Sequence, residues 1–187
     1  MLCADRAQFD LARRLRRDSA AIGEIFSFLS GLYFRGKLAY ANTFAAPPRG
    51  TAGALVITPH RGLIPADTMV TLEELRAFAS VPIDVTEPRF TERLCASAES
   101  LRRKCSASCE IVLLGSIATG KYVDCLLPIF GERLLFPAEF VGRGDMSRGG
   151  LLLRNAKSGV ELDYIPIAGA IRRGSRPPKL PPQPRLG

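Results

Sequence analysis

The sequence predicts an α/β protein, a three-layer sandwich with a largely parallel central sheet, N-terminal helices and a C-terminal hairpin. Three observations predict it. Short apolar runs of strand length, at 52–58, 111–114 and 131–136, alternate with longer stretches of helical character. The run Ile111–Leu114 leads directly into Gly115-x-x-x-x-Gly120-Lys121 and a helix-compatible segment to Leu127, the strand, glycine loop and helix expected of a parallel sheet. Near the end, Lys157-Ser158-Gly159 separates two apolar segments as a hairpin turn would.

Element by element, Asp5 to Arg17 places Phe9, Leu11, Ala12 and Leu15 among charges, the pattern of a short amphipathic helix. A second helical stretch runs from Ala20 to Phe44 with a break near Gly31 or Gly36, and Pro47-Pro48-Arg49-Gly50 ends it. Ala52 to Thr58 reads as a fully buried strand followed by a loop from Pro59 to Pro65. Thr71, with Glu74 three residues on, predicts a capping box for a helix reaching Phe78. Arg89 to Arg103 is a further helix, Ile111–Leu114 and Gly131–Phe136 are strands, and Val141–Gly150 is a loop rich in glycine and charge. Gly150–Arg154 and Val160–Ile165 form the predicted hairpin. The reading divides the chain into a helical segment (1–46) packed on the body, an α/β domain (47–174) and a proline-rich tail (175–187) suited to extended polyproline conformation.

At 187 residues, 47% of them apolar, the chain is long enough to bury a substantial core. No apolar run approaches the roughly 20 residues that span a bilayer, so no membrane partner is expected. The N-terminus mixes Asp5 and Asp10 with arginines and shows no secretion signal, and a cytoplasmic location is expected. Five cysteines, Cys3, Cys95, Cys105, Cys109 and Cys125, do not form a disulfide framework. Net charge is +8, mostly from arginine in pairs dispersed along the chain, which points to a polyanionic partner if folding gathers them on one face.

Candidate chemistry sits on three segments that the predicted sheet would bring to its carboxyl edge. Thr58 to Asp67 holds His60, the only histidine, as a candidate base or donor; Asp67 either orients it or caps the following helix. Gly115, Ser116 and Lys121 belong to the glycine loop, whose backbone N–H groups and lysine suit an anion. Tyr122 stands where a magnesium-binding Ser or Thr would follow the lysine, which weakens a nucleoside triphosphate reading. In Val141–Gly150, Arg143, Ser147 and Arg148 are candidate anion ligands at the surface and Asp145 a candidate base. Cys105-x-x-x-Cys109 lacks a matching second pair, and no metal or cofactor is expected.

Several segments are similar to a known group. Leu32-Tyr33-Phe34-Arg35-Gly36-Lys37 resembles a helix of uncharacterised bacterial proteins. Gly62-Leu63-Ile64-Pro65-Ala66-Asp67-Thr68-Met69 resembles a loop of the peroxide-stress YaaA proteins, and Ile111–Leu114 with Gly115-Ser116 resembles a strand and loop of the uracil-DNA-glycosylase-like superfamily, which includes a domain of archaeosine synthases. The resemblance implies a three-layer α/β fold and a connection with DNA or modified bases. The late loop Gly144-Asp145-Met146-Ser147 departs from the His-Pro-Ser type of the glycosylases, so only the fold and the Gly62–Asp67 site edge carry over.

The expected function is binding of a nucleotide, nucleobase or nucleic-acid strand, with base or glycosidic-bond chemistry in DNA or RNA modification. Two alternatives stand beside it: a non-catalytic DNA- or RNA-binding accessory protein, and a degenerate P-loop phosphotransferase.

Overall fold

The structure, a computed structural model, describes residues 8–178 and 180. In chain order its elements are α1 (Asp10–Arg17), β1 (Ala20–Ala21), α2 (Ile22–Leu29), α3 (Gly31–Phe44), β2 (Leu55–Thr58), β3 (Gly62–Pro65), β4 (Met69–Val70), α4 (Leu72–Ala79), α5 (Pro88–Lys104), β5 (Ile111–Val112), α6 (Gly120–Phe130), β6 (Leu134–Pro137), α7 (Asp145–Ser158) and β7 (Tyr164–Pro166). The first residues of the expected N-terminal helix (5–7), Cys3 and the last part of the proline-rich tail (181–187) lie outside the described residues. None of the described helices is long and apolar enough to cross a membrane.

The mixture of helices and strands bears out the α/β class, but the sheets are small and mixed. β1 pairs antiparallel with β4, β2 antiparallel with β3, and β5-β6-β7 form a three-stranded sheet. Among the described residues only β5 and β6 run parallel, with Ile111 opposite Leu134 and Val112 opposite Leu135. A three-layer sandwich on a largely parallel sheet is therefore not what these strands form. One reason lies in the segment read as a loop from Pro59 to Pro65. Only three residues separate β2 from β3, far short of the dozen or so that a parallel crossover needs, so the second strand must return antiparallel. Gly62, with φ +66°, makes the turn, and the Thr58 hydroxyl locks it by donating to the Gly62 carbonyl at 2.8 Å.

The C-terminal hairpin is also corrected. Asp145 to Ser158, including Gly150–Arg154, is helix α7; Gly159, in the left-handed conformation, ends it; and β7 adds to the edge of β6. Arg148, Gly149, Leu151 and Leu152 lie on the buried side of α7. Packing of that face against α3 outweighs the weak helix propensity of paired glycines. The strand expected at Gly131–Phe136 begins later, at Leu134, after a short 3-10 turn.

Other local signals hold. The break in the second helical stretch falls at Ser30, next to Gly31, whose φ of +60° redirects the chain into α3, while Gly36 stays inside α3. Thr71 and Glu74 form the reciprocal cap of α4, at 3.2 and 2.9 Å; the cap is therefore Thr71, and Asp67 stays in the turn before β4. Phe90, Leu94, Ala98 and Leu101 recur at helical spacing along α5, and all are buried.

Two hydrophobic clusters hold the molecule. The larger gathers Tyr40, Phe90, Leu94, Ile117, Leu126, Phe136, Phe140 and Leu152 around the β5-β6-β7 sheet. The smaller joins α1 and α2, through Leu11, Leu15, Ile22 and Ile25, to Val56, Ile64, Val70 and Phe78. Helix α3 bridges outward from the second to lie along α7, and that crossing positions the site described next.

Candidate functional site

α3 and α7 approach until their backbones touch. A Cβ added to Gly36 would stand 2.6 Å from the Gly149 carbonyl oxygen, and one added to Gly149 would stand 2.8 Å from the Tyr33 Cα. This contact sets Tyr33 and Lys37 of α3 beside Asp145 and Arg148 of α7. The Tyr33 hydroxyl donates to the Leu114 carbonyl at 3.0 Å, which ties the same point to the loop after β5. Three elements distant in sequence thus meet around one helix end.

Electrostatics at this junction are unusual. The Lys37 ammonium lies 4.0 Å from the centroid of the Tyr33 ring and 5.9 Å from that of Phe34, in cation–π contact. Burial pushes its pKa down to about 8; the nearby Asp145 charge opposes that shift, and Arg148 and Lys121 reinforce it. Burial also pushes the Tyr33 phenol up to about 12, offset in part by a hydrogen bond with Arg148. Lys121, in the first turn of α6, sits 5.0 Å from the Tyr122 ring centroid.

Arg148 is not the surface fork that the sequence suggests. It is 6% exposed, and its Nε and Nη2 donate to the Phe140 carbonyl at 3.3 and 2.9 Å. Nη1 lies 3.8 Å from Asp145 Oδ1, whose side chain is 70% exposed. Arg148 therefore fixes the turn entering α7, and Asp145 is the group of this pair that solvent reaches.

The glycine loop is also built differently from a phosphate cradle. Neither Gly115 nor Gly120 has a positive φ, and Ile117 between them is fully buried. Gly115 packs against the Tyr122 ring, and the Asp124 carboxylate folds back so closely that a Cβ on Gly120 would collide with it. That carboxylate, reaching back from the second turn of α6 to Gly120, repels a phosphate at the helix start. Lys121 is the loop cation whose charge reaches Lys37, and Gly115 and Ser116 lie in the segment between β5 and α6.

A pocket of about 330 Å³ opens on another side of the α7 N-terminal turn, lined by Arg143, Gly144, Met146, Ser147, Gly150, Arg154, Arg176, Pro177, Pro178 and Leu180. Arg143 donates to Ser147 Oγ and to the Pro178 carbonyl, both at 3.3 Å, and its Nε is buried without a hydrogen-bond partner. Arg154 and Arg176 form no ion pair among the described residues, and no carboxylate lines the pocket. The C-terminal segment supplies one wall, and its Arg173 donates to the Ala118 carbonyl at 3.3 Å.

His60 stands apart from both. It occupies the β2–β3 turn, its ring centroid 4.9 Å from that of Phe78, and lines a separate depression of about 320 Å³ with Arg89, Glu92 and Arg93. Its Nδ1 is buried with no hydrogen-bond partner, and neighbouring Arg61 pairs with Glu74 at 2.8 Å. The structure thus gathers Lys121, Asp145 and Arg148 at the junction, places Arg143 and Ser147 in the arginine pocket, and leaves His60 elsewhere. Among the described residues no group of three His, Cys, Asp or Glu side chains could hold a metal ion.

Sequence reasoning passed over Tyr33, Lys37, Arg154 and Arg176. Tyr33 and Lys37 share one face of a helix at i, i+4 spacing, a signal visible in the sequence but without a partner there. Ser147, Gly150 and Arg154 share a face only once 145–158 is read as helix. The chain matches no family model, and no curated protein or solved structure is significantly similar to it.

Proposed function

We propose that the protein binds a nucleic-acid strand at the N-terminal end of α7, with backbone phosphates in the arginine pocket and a nucleotide turned toward Lys37, Lys121 and Asp145. The observation that carries this reading is a pocket with three arginines and no carboxylate. Unpaired guanidinium groups repel one another and favour an anion between them, and phosphate matches their donor geometry. The exposed Asp145 beside a lysine whose pKa burial lowers to about 8 suits base or glycosidic-bond chemistry, the direction in which the resemblance to the uracil-DNA-glycosylase-like superfamily also points. A cytoplasmic location fits the four unpaired cysteines of the described residues, as thiols persist in a reducing compartment.

One observation favours the non-catalytic accessory reading: Asp145 lies near the buried Arg148 guanidinium, as a residue that merely stabilises the helix start would. Asp145→Asn separates the two, since an enzyme loses turnover and keeps its ligand, whereas a binding protein loses neither.

Binding is tested by fluorescence anisotropy of a labelled single-stranded oligonucleotide across a salt series. Each phosphate contact should contribute about −0.7 to the slope of log K against log salt, so a three-arginine site predicts a slope of roughly −2. Arg154→Ala and Arg176→Ala should each flatten it by about one contact. Unchanged slopes in both variants would remove the pocket from the interface.

A further inference from the structure

A guanidinium holds phosphate oxygens through a planar fork of N–H donors and keeps its charge in any protein environment, so the number of arginines around a cavity sets the ligand charge that it favours. Three line the pocket beside α7, and they play unequal parts. Arg143 gives Nη1 to Ser147 Oγ and to the Pro178 carbonyl, and so fastens the C-terminal wall to the helix. Arg154 on α7 and Arg176 on the C-terminal wall make no hydrogen bond or ion pair among the described residues, which leaves both forks free for a ligand. No side chain caps the start of α7 at Gly144, so the first-turn N–H groups of Met146 and Ser147 are also open at this pocket.

A phosphodiester inside a strand brings one charge and two free oxygens to these donors. A phosphomonoester brings up to two charges and three free oxygens. The monoester offsets more of the charge of three guanidinium groups and uses more of their donors. It is also linked to the rest of its molecule on one side only, so it needs a single exit from a cavity walled by α7 and by the C-terminal segment. We propose that the pocket takes a terminal phosphomonoester, the phosphorylated end of a nucleic-acid strand. The proposal rests on the nucleic-acid reading above and narrows it from any backbone phosphate to the one at the end. A volume of about 330 Å³, at the lower end of small-ligand pockets, suits the phosphate with its sugar, and Met146 and Leu180 give that sugar an apolar wall.

The test is fluorescence anisotropy, at one salt concentration, of an internally labelled single-stranded oligonucleotide bearing a 5′-phosphate, a 3′-phosphate or hydroxyls at both ends, with a nucleoside monophosphate as competitor. A hydroxyl-ended strand two nucleotides longer carries the same charge as the phosphorylated ones and controls for charge alone. The expected result is that the 5′- or the 3′-phosphorylated strand binds at least about ten-fold more tightly than this control. The preference should shrink toward about pH 5, because a phosphomonoester takes up a proton near pH 6 and no carboxylate or histidine lines the pocket. Arg154→Ala and Arg176→Ala should each remove most of it. Gly150→Asp keeps all three arginines and sets a carboxylate among them; a Cβ there makes an ordinary contact with Leu180 Cδ1, at 3.7 Å, so the fold admits the change, and it too should abolish the preference.

Which phosphorylated strand binds more tightly assigns the end. Binding of the nucleoside monophosphate with no strand bound keeps the monoester and overturns the strand. Equal binding of the phosphorylated strands and the longer control, or a preference that survives all three substitutions, overturns the monoester in this pocket and leaves the nucleic-acid reading standing. Binding of no probe overturns both.

Discussion

Gly36 and Gly149 meet backbone to backbone, with room for a Cβ on neither, and this contact brings Tyr33 and Lys37 to the start of α7. The glycines of the segment 141–150 look from sequence like openings for a ligand. At Gly149 the missing side chain instead admits another helix.

Gly36→Ala and Gly149→Ala should each destabilise the fold by about 1–3 kcal/mol, the usual cost of overpacking, because the obstacle is backbone and cannot swing aside. The double variant should depart from additivity, since both substitutions relax through the same helix separation. Urea denaturation of the three variants gives the answer, and a change within about 0.5 kcal/mol, typical of a surface site, would mean that the helices are not this close in solution.

Arg148→Ala should also cost stability, about 1–3 kcal/mol, because it removes two charge-assisted hydrogen bonds to the buried Phe140 carbonyl, which keeps only the Arg143 backbone N–H at 3.2 Å. Arg148→Lys should recover only part, as one ammonium cannot reproduce two guanidinium donors. Oligonucleotide affinity measured on the folded variants should fall far less than in Arg154→Ala, whose side chain lines the pocket.

Lys37 makes stability depend on pH. Its folded pKa, near 8, lies below the unfolded value of about 10.4, so between these the unfolded chain holds a proton that the folded chain has released, and stability rises with pH across that window. Tyr33 acts oppositely: with its phenol pushed up to about 12, the unfolded chain loses that proton first, and stability falls above about pH 10. Between about pH 8 and about pH 10 the Cys125 thiol, which burial pushes up to about 11, opposes this rise, so urea midpoints should climb more steeply, or fall less, in the wild type than in Lys37→Met. Parallel curves would show that Lys37 titrates as an ordinary surface lysine.

No magnesium-dependent hydrolysis of ATP or GTP is expected. Tyr122 packs edge-on to Phe90 with ring centroids 6.5 Å apart and lies against Gly115, so it serves packing at the position where a hydroxyl would hold the metal. Tyr122→Thr should cost on the order of 2 kcal/mol, less than the roughly 3–5 kcal/mol for deleting a fully buried aromatic, and should create no turnover. A phosphate-release assay that finds magnesium-dependent turnover abolished by Lys121→Ala would restore the phosphotransferase reading.

What the sequence determined by itself is what short-range physics decides. The Thr71–Glu74 cap closes between residues three apart, the buried stripe of α5 follows from helical period, and Ile111 begins a strand that leads to a helix at Gly120. The tertiary structure decided everything that depends on a partner distant in the chain. Asp145 to Ser158 is a helix because α3 covers its apolar side, which no local window contains. His60 is kept apart because its hairpin turn packs on α4, and Lys37 joins Asp145 and Arg148 because Gly36 and Gly149 let two helices touch. Side-chain chemistry was legible residue by residue; which residues act together was set by packing, since proximity is a property of the folded chain and not of spacing along it.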